Sequence, residues 1–110
     1  ELTAKLAEFR PTVLTGTPSV LGLLARRAGD FHLRGSLRQV VTTSETLTDR
    51  TRELIAGAFG VPVLDTYGCG ECLFLSNGCP AGLGAHVNAD CAILEVVDAE
   101  NRPVPEPQLV

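Results

Sequence analysis

Apolar positions in this chain recur at two different spacings, and their alternation predicts its elements. Leu2, Leu6 and Phe9 fall on one helical face. Arg10-Pro11 closes that helix, because the residue before a proline is pushed out of the helical region. Thr12 to Thr15 predicts a short buried strand. Thr17 is placed to cap the next helix, with Pro18 in its first turn, an apolar face of Val20, Leu21, Leu24, Ala25 and Ala28, and Gly29 as the stop. Leu37 to Thr42 predicts a second strand. Thr48 caps a third helix with a stripe of Leu54, Ile55, Ala58 and Phe59, ended by Gly60, and Val61 to Leu64 supply the third strand.

This order of strand, helix, strand, helix, strand predicts an α/β fold with a parallel sheet and right-handed crossovers. All its strands then point the same way. Gly16 to Ser19, Thr42 to Glu45 and Asp65 to Glu71 follow the carboxyl ends of successive strands, so three polar loops converge on the sheet edge where open α/β folds bind ligands. The tail follows a different pattern. His86-Val87-Asn88 and Ala92 to Val97 read as short strands, and Asp98 to Pro103 as a hairpin turn. The expected organisation is a parallel α/β part over residues 1–84 and the start of a β-rich subdomain over 85–110.

Composition narrows the class. A 45% hydrophobic content in 110 residues suffices for a core, although a sheet separated from its neighbours would expose apolar faces. The net charge of -4 and nine scattered basic residues argue against a nucleic-acid footprint. No apolar run approaches the roughly 20 residues of a membrane span, and no signal peptide opens the chain. With no Met and a start at Glu1, the sequence reads as an internal piece of a longer protein whose other segments are its partners. The cysteine content and the absence of an export signal make cytoplasmic placement the expectation.

Backbone N–H groups and Ser or Thr hydroxyls in loops that enter helices suit phosphate or adenine, and a nearby carboxylate suits magnesium. Glu71 is the natural carboxylate. Neither the Gly-rich phosphate loop ending in Gly-Lys nor the Gly-x-Gly-x-x-Gly fingerprint is present, so spacing alone indicates only an anionic ligand.

Several elements occur in family-like order. Tyr67-Gly68-x-x-Glu71 is preceded by Thr15 to Ser19 and Thr43-Ser44-Glu45, and followed by Cys79-Pro80, Gly84 to Asn88 and Leu94-Glu95-Val96. Together they resemble the middle of phenylacetate-CoA ligase-like members of the adenylate-forming superfamily. The resemblance implies part of the large N-terminal domain of such an enzyme. It further implies attack of a carboxylic acid, an aromatic one by expectation, on ATP to give acyl-AMP, and then transfer to coenzyme A. On this resemblance Thr43, Ser44 and Glu45 border the adenine, Asp65, Thr66, Tyr67 and Gly68 frame the nucleotide and acyl pocket, and Glu71 contacts Mg2+ on the phosphates. Many relatives carry Thr where this chain has Gly70, which removes one phosphate contact. The family's phosphate loop and its catalytic lysine lie outside these residues, so the fragment alone is expected to be inert. A non-catalytic adenylate-binding or zinc-stapled module descended from such an enzyme is the alternative. A homodimer is compatible with either.

Cys69-x-x-Cys72 admits a zinc, a redox or a plain packing reading, and Cys91 admits packing. By resemblance, Cys79 and His86 match half of a structural Zn2+ site. Glu45 also has a bland reading as the partner of a basic neighbour or as a helix cap, and Asp65 as a turn residue. Arg26, Arg27, Arg50 and Arg52 read as solvated helix surface, and His32 as a loop residue without an evident partner.

Overall fold

The computed structural model describes residues 2–27, 29, 33, 35–82 and 84–104. The positions expected of Ala28 and His32 lie outside these.

Helix α1 (Leu2–Phe9) stops at Arg10, which takes a left-handed φ of 51° just before Pro11. Strand β1 (Val13–Gly16) leads through Thr17 into α2 (Pro18–Arg26), whose last turn ends at Arg27, short of Gly29. Strand β2 (Gln39–Thr42) follows, and then α3 (Asp49–Phe59). The ends of α3 are those expected from its residues: the Thr48 hydroxyl accepts the Thr51 N–H at 3.3 Å, and Gly60 closes the helix at φ 68°. Thr17 behaves differently, because it stands at the α2 N-cap without a side-chain capping bond.

Strands β1, β2 and β3 (Val63–Tyr67) pair in parallel in that order, with Leu14 opposite Val40 and Val40 opposite Val63. Successive right-handed crossovers that advance in one direction leave both helices on one face of the sheet. The core lies there. Leu21 and Ala25 of α2 meet Ile55 and Phe59 of α3 over Val40 and Val63, and Leu33 and Leu37 belong to the same buried cluster. Ile55 and Val40 are wholly buried, and each contributes about 1.5–3 kcal/mol by transfer from water. The opposite face is open at β1, where Val13 is half exposed.

Beyond β3 the chain reverses. Strand β4 (Ser76–Gly78) pairs antiparallel with β3, and β5 (Ala85–Val87) pairs antiparallel with β4. The antiparallel part of the sheet therefore begins at Ser76. Gly78 lies across from Asp65, where an added Cβ would come within 2.9 Å of the Asp65 nitrogen, so this crossing needs glycine.

One expectation changes in the tail. Ala92 to Val97 forms no strand; one isolated bridge joins Val97 to Pro103. Among the described residues Ile93 and Leu94 find no partner sheet, and both are exposed. The turn between those bridge residues does form. The Asp98 carboxylate accepts the N–H groups of Glu100 and Arg102, and Asn101 supplies the left-handed φ of 60°. These bonds, led by that of the Arg102 backbone, hold the Asp98 carboxyl below its ordinary value.

Candidate functional site

The carboxyl edge of the parallel strands is built by three neighbouring segments. Thr42 ends β2 fully buried, and its hydroxyl donates to Asp65 Oδ1 across the sheet. Asp65 is paired with Thr42 inside β3 rather than placed in a turn, because the strand continues to Tyr67. The next residue, Thr66, points the other way along the pleat, and its hydroxyl donates to the Thr42 carbonyl at 3.0 Å. Thr43 is tied back to β1 through its N–H, 3.3 Å from the Gly16 carbonyl oxygen.

Ser44 then takes a left-handed φ of 70°, a costly conformation outside glycine, and turns Glu45 toward α2. Glu45 Oε2 accepts the Ser19 N–H at 3.0 Å and Oε1 accepts the Ser19 hydroxyl at 2.9 Å. An orphan donor of the α2 N-terminus is thus satisfied by a carboxylate 26 residues away. The Ser19 backbone bond first, and its hydroxyl second, hold the Glu45 carboxyl below its ordinary value. The bland reading of Glu45 as a helix cap is correct, although the helix it caps is α2.

Ser44, Glu45, Thr46 and Leu47 face Asp65, Thr66, Tyr67 and Gly68 across a cavity of about 350 Å3. Six of its eight lining residues are ones the sequence singles out for a nucleotide pocket. Thr43 and Glu71 are not among them. Tyr67 is 67% exposed at the cavity, with its ring free to meet a ligand. Gly68 is required sterically, since a Cβ there would fall 1.9 Å from the Leu73 carbonyl oxygen.

Glu71 stands on the exposed turn after Gly68. Cys69 and Cys72 exchange backbone hydrogen bonds at 3.1 and 3.2 Å, so Gly70 and Glu71 form the tip between them. The base of this loop is closed by the Leu75 N–H on the Tyr67 carbonyl at 2.9 Å. Asn88 anchors its far side: its side chain donates to the Phe74 carbonyl at 2.9 Å and accepts from Asn77 at 3.1 Å. Asn88 and Arg52 are functional-site neighbours that sequence reasoning missed or misplaced. Arg52 does not simply face solvent; it donates to the Val63 carbonyl at 2.7 Å and lines a second cavity of about 260 Å3 with Asp65 and Tyr67. A polar helix face alone carries no signal for either contact.

The hairpin register places the half-buried Cys79 and the exposed His86 on one face, since Asn77 opposes His86 and Cys79 bonds to Gly84. Zinc needs four ligands. Among the described residues no three His, Cys, Asp or Glu side chains gather to hold a metal, so the Zn2+ expectation finds no ligand set here.

Residues 1–108 match the family model described as AMP-binding enzyme. The chain belongs to the AMP-binding enzyme family.

Solved structures of similar fold agree with this membership. A 2-hydroxyisobutyryl-CoA ligase in complex with its acyl-AMP and CoA superposes with a TM-score of 0.83 at 26% identity over 97% of the chain. An anthranilate CoA ligase in complex with anthranoyl-AMP does so at 0.78, with 25% identity over 94% of the chain. A benzoate CoA ligase from Burkholderia xenovorans shares the fold at 0.75, with 23% identity over 97% of the chain. The chain spans 25%, 21% and 23% of those proteins, respectively. The mixed α/β fold of this AMP-binding family member is that of the adenylate-forming enzymes' N-terminal domain.

Proposed function

We propose that this chain is the nucleotide-facing part of an ATP-dependent acid:CoA ligase, similar to phenylacetate-CoA ligases, which activates an aromatic carboxylic acid. The observation that carries the reading is the cavity between Ser44 to Leu47 and Asp65 to Gly68, at the carboxyl edge of parallel strands. Support comes from the similar ligases whose structures hold acyl adenylates. The similar ligases include one for an aromatic acid, anthranilate, and one for an aliphatic acid, 2-hydroxyisobutyrate, so the aromatic reading is carried by the resemblance in sequence to phenylacetate-CoA ligases.

In this reading a carboxylate oxygen of the acid attacks the α-phosphorus of ATP and pyrophosphate leaves. The coenzyme A thiol then displaces AMP from the acyl carbon. Thr43, Ser44 and Glu45 border the adenine. Glu45, already bonded to Ser19, acts by holding its loop in place rather than by exchanging a proton. Asp65, Thr66, Tyr67 and Gly68 frame the nucleotide and the acyl group. Glu71, a single carboxylate on an exposed turn, would hold a Mg2+ ion, leaving its other positions to water and phosphate. Bound there, magnesium supplies charge neutralisation for the phosphate oxygens.

The test is acid-dependent exchange of labelled pyrophosphate into ATP by the full-length protein, over a panel of aryl and aliphatic acids, beside Glu71→Ala. Exchange driven by aryl acids and lost in Glu71→Ala is expected. A folded, ATP-binding protein that exchanges with no acid would overturn the ligase in favour of a non-catalytic adenylate-binding module.

A further inference from the structure

The Cys69-x-x-Cys72 pair has no task in the proposed reaction, and its backbone geometry is that of two residues facing each other across a tight turn. The Cys69 N–H donates to the Cys72 carbonyl at 3.1 Å and the Cys72 N–H returns a bond to the Cys69 carbonyl at 3.2 Å. The first and last residues of a four-residue turn closed this way lie under about 7 Å apart at Cα, a span that overlaps the roughly 4.4–6.8 Å of a disulfide. The turn is exposed, with nothing within 4 Å of a Cβ at Gly70 to resist its closing further. The Cys69 thiol already leans over the turn, with Sγ 3.8 Å from the Cys72 carbonyl oxygen. Both thiols are free, Cys69 exposed and Cys72 half-buried.

We propose that Cys69 and Cys72 are an oxidisable dithiol, which forms a reversible disulfide across the Gly70-Glu71 turn. The inference goes beyond the ligase reading and does not rest on it. In the reaction one thiolate attacks a low-molecular-weight disulfide and expels one of its thiols. The second cysteine then attacks the mixed disulfide and expels the other, so that two protein thiols become one S–S bond and one external disulfide becomes two thiols. Cys91 is the competitor for Cys72: its thiol pKa is raised chiefly by the Asp90 carboxylate and in smaller part by Cys72 itself, which places it near that thiol while disfavouring its own thiolate. A short, exposed bridge of this kind belongs to the reducible class rather than the structural one. Its consequence is local: the turn that presents Glu71 becomes covalently closed.

Cleavage after Glu71 separates the two cysteines, which makes the bridge directly readable. The full-length protein is incubated with glutathione disulfide, remaining thiols are alkylated, and the chain is cut at Glu and Asp. The expected product is the peptide ending at Glu71 joined to the one beginning at Cys72, with loss of the two thiol hydrogens and separation by dithiothreitol. The joined species persists in Cys79→Ser and Cys91→Ser and disappears in Cys72→Ser. The proposal is overturned if both peptides are recovered fully alkylated from folded protein, or if the Cys69 peptide still becomes joined to its neighbour in Cys72→Ser.

Discussion

Replacing Gly68 by alanine tests whether the loop carrying Glu71 is built as described. The new Cβ would lie 1.9 Å from the Leu73 carbonyl oxygen and 2.8 Å from its carbon, where real Cβ contacts essentially never fall below 3.0 Å. The Leu73 carbonyl must therefore retreat by about 1 Å. It has little freedom to do so, because Phe74 is held by Asn88 and Leu75 by Tyr67, each through a 2.9 Å bond. Forced backbone shifts cost about 1–3 kcal/mol and loss of the Leu75–Tyr67 bond about 1 more, so Gly68→Ala should lower stability by about 2–4 kcal/mol. Gly70→Ala is the control, with nothing within 4 Å and a φ outside the left-handed region; it should stay within about 0.5 kcal/mol of wild type. Equilibrium urea unfolding of the full-length protein reads both. A Gly68→Ala variant as stable as Gly70→Ala would refute the close approach of Gly68 to Leu73.

Other perturbations separate the remaining contacts. Thr42→Val keeps the buried shape but strips Asp65 of its hydroxyl donor, and should cost about 1.5–3 kcal/mol in the same urea assay; a neutral result would remove that bond from the account. Glu45 has a lowered folded pKa, so its contribution is present above the unfolded value of about 4.3 and is lost as pH falls through the lower folded value. The melting temperature of wild type should therefore drop more steeply than that of Glu45→Gln between about pH 5 and 3, whereas parallel acid limbs would show that the Ser19 contact does not form. Gly70→Thr restores the residue common in the resembled family. The open space at Gly70 predicts an unchanged fold and faster pyrophosphate exchange, and slower exchange would count against a phosphate contact there.

The parallel half of the molecule was legible because its signals are local. Pro11, Pro18, Thr48 and Gly60 act on their own backbone, and the apolar stripes of α2 and α3 need only one shared face to bury. The extent of β3 was not legible from apolar residues, since Asp65 and Thr66 continue the strand through partners on β2 that no nearby residue announces. The tail misled for the opposite reason. Ala92 to Val97 carries the side chains of a strand, but pairing requires a neighbour, and the described residues offer only the single bridge to Pro103. Asn88 read as a strand residue, while its side chain bonds back to Phe74 and Asn77, 14 and 11 residues earlier in the chain.

Glu45 connects these observations to the site. A helix N-terminus is ordinarily capped from within its own segment, and Thr17 stands at that position beside Ser19. Here the capping carboxylate comes instead from the loop after β2, so the cap of α2 is also a tie between two of the three segments at the sheet edge. The Thr42 hydroxyl on Asp65 and the Thr66 hydroxyl on the Thr42 carbonyl tie the second segment to the third. Ser44 bears an unfavourable φ between those ties, and releasing Glu45 would let it relax. The cavity walls are consequently coupled. A ligand that draws on either wall acts on a framework already joined by four side-chain hydrogen bonds, and much of the ordering cost of binding is met in folding.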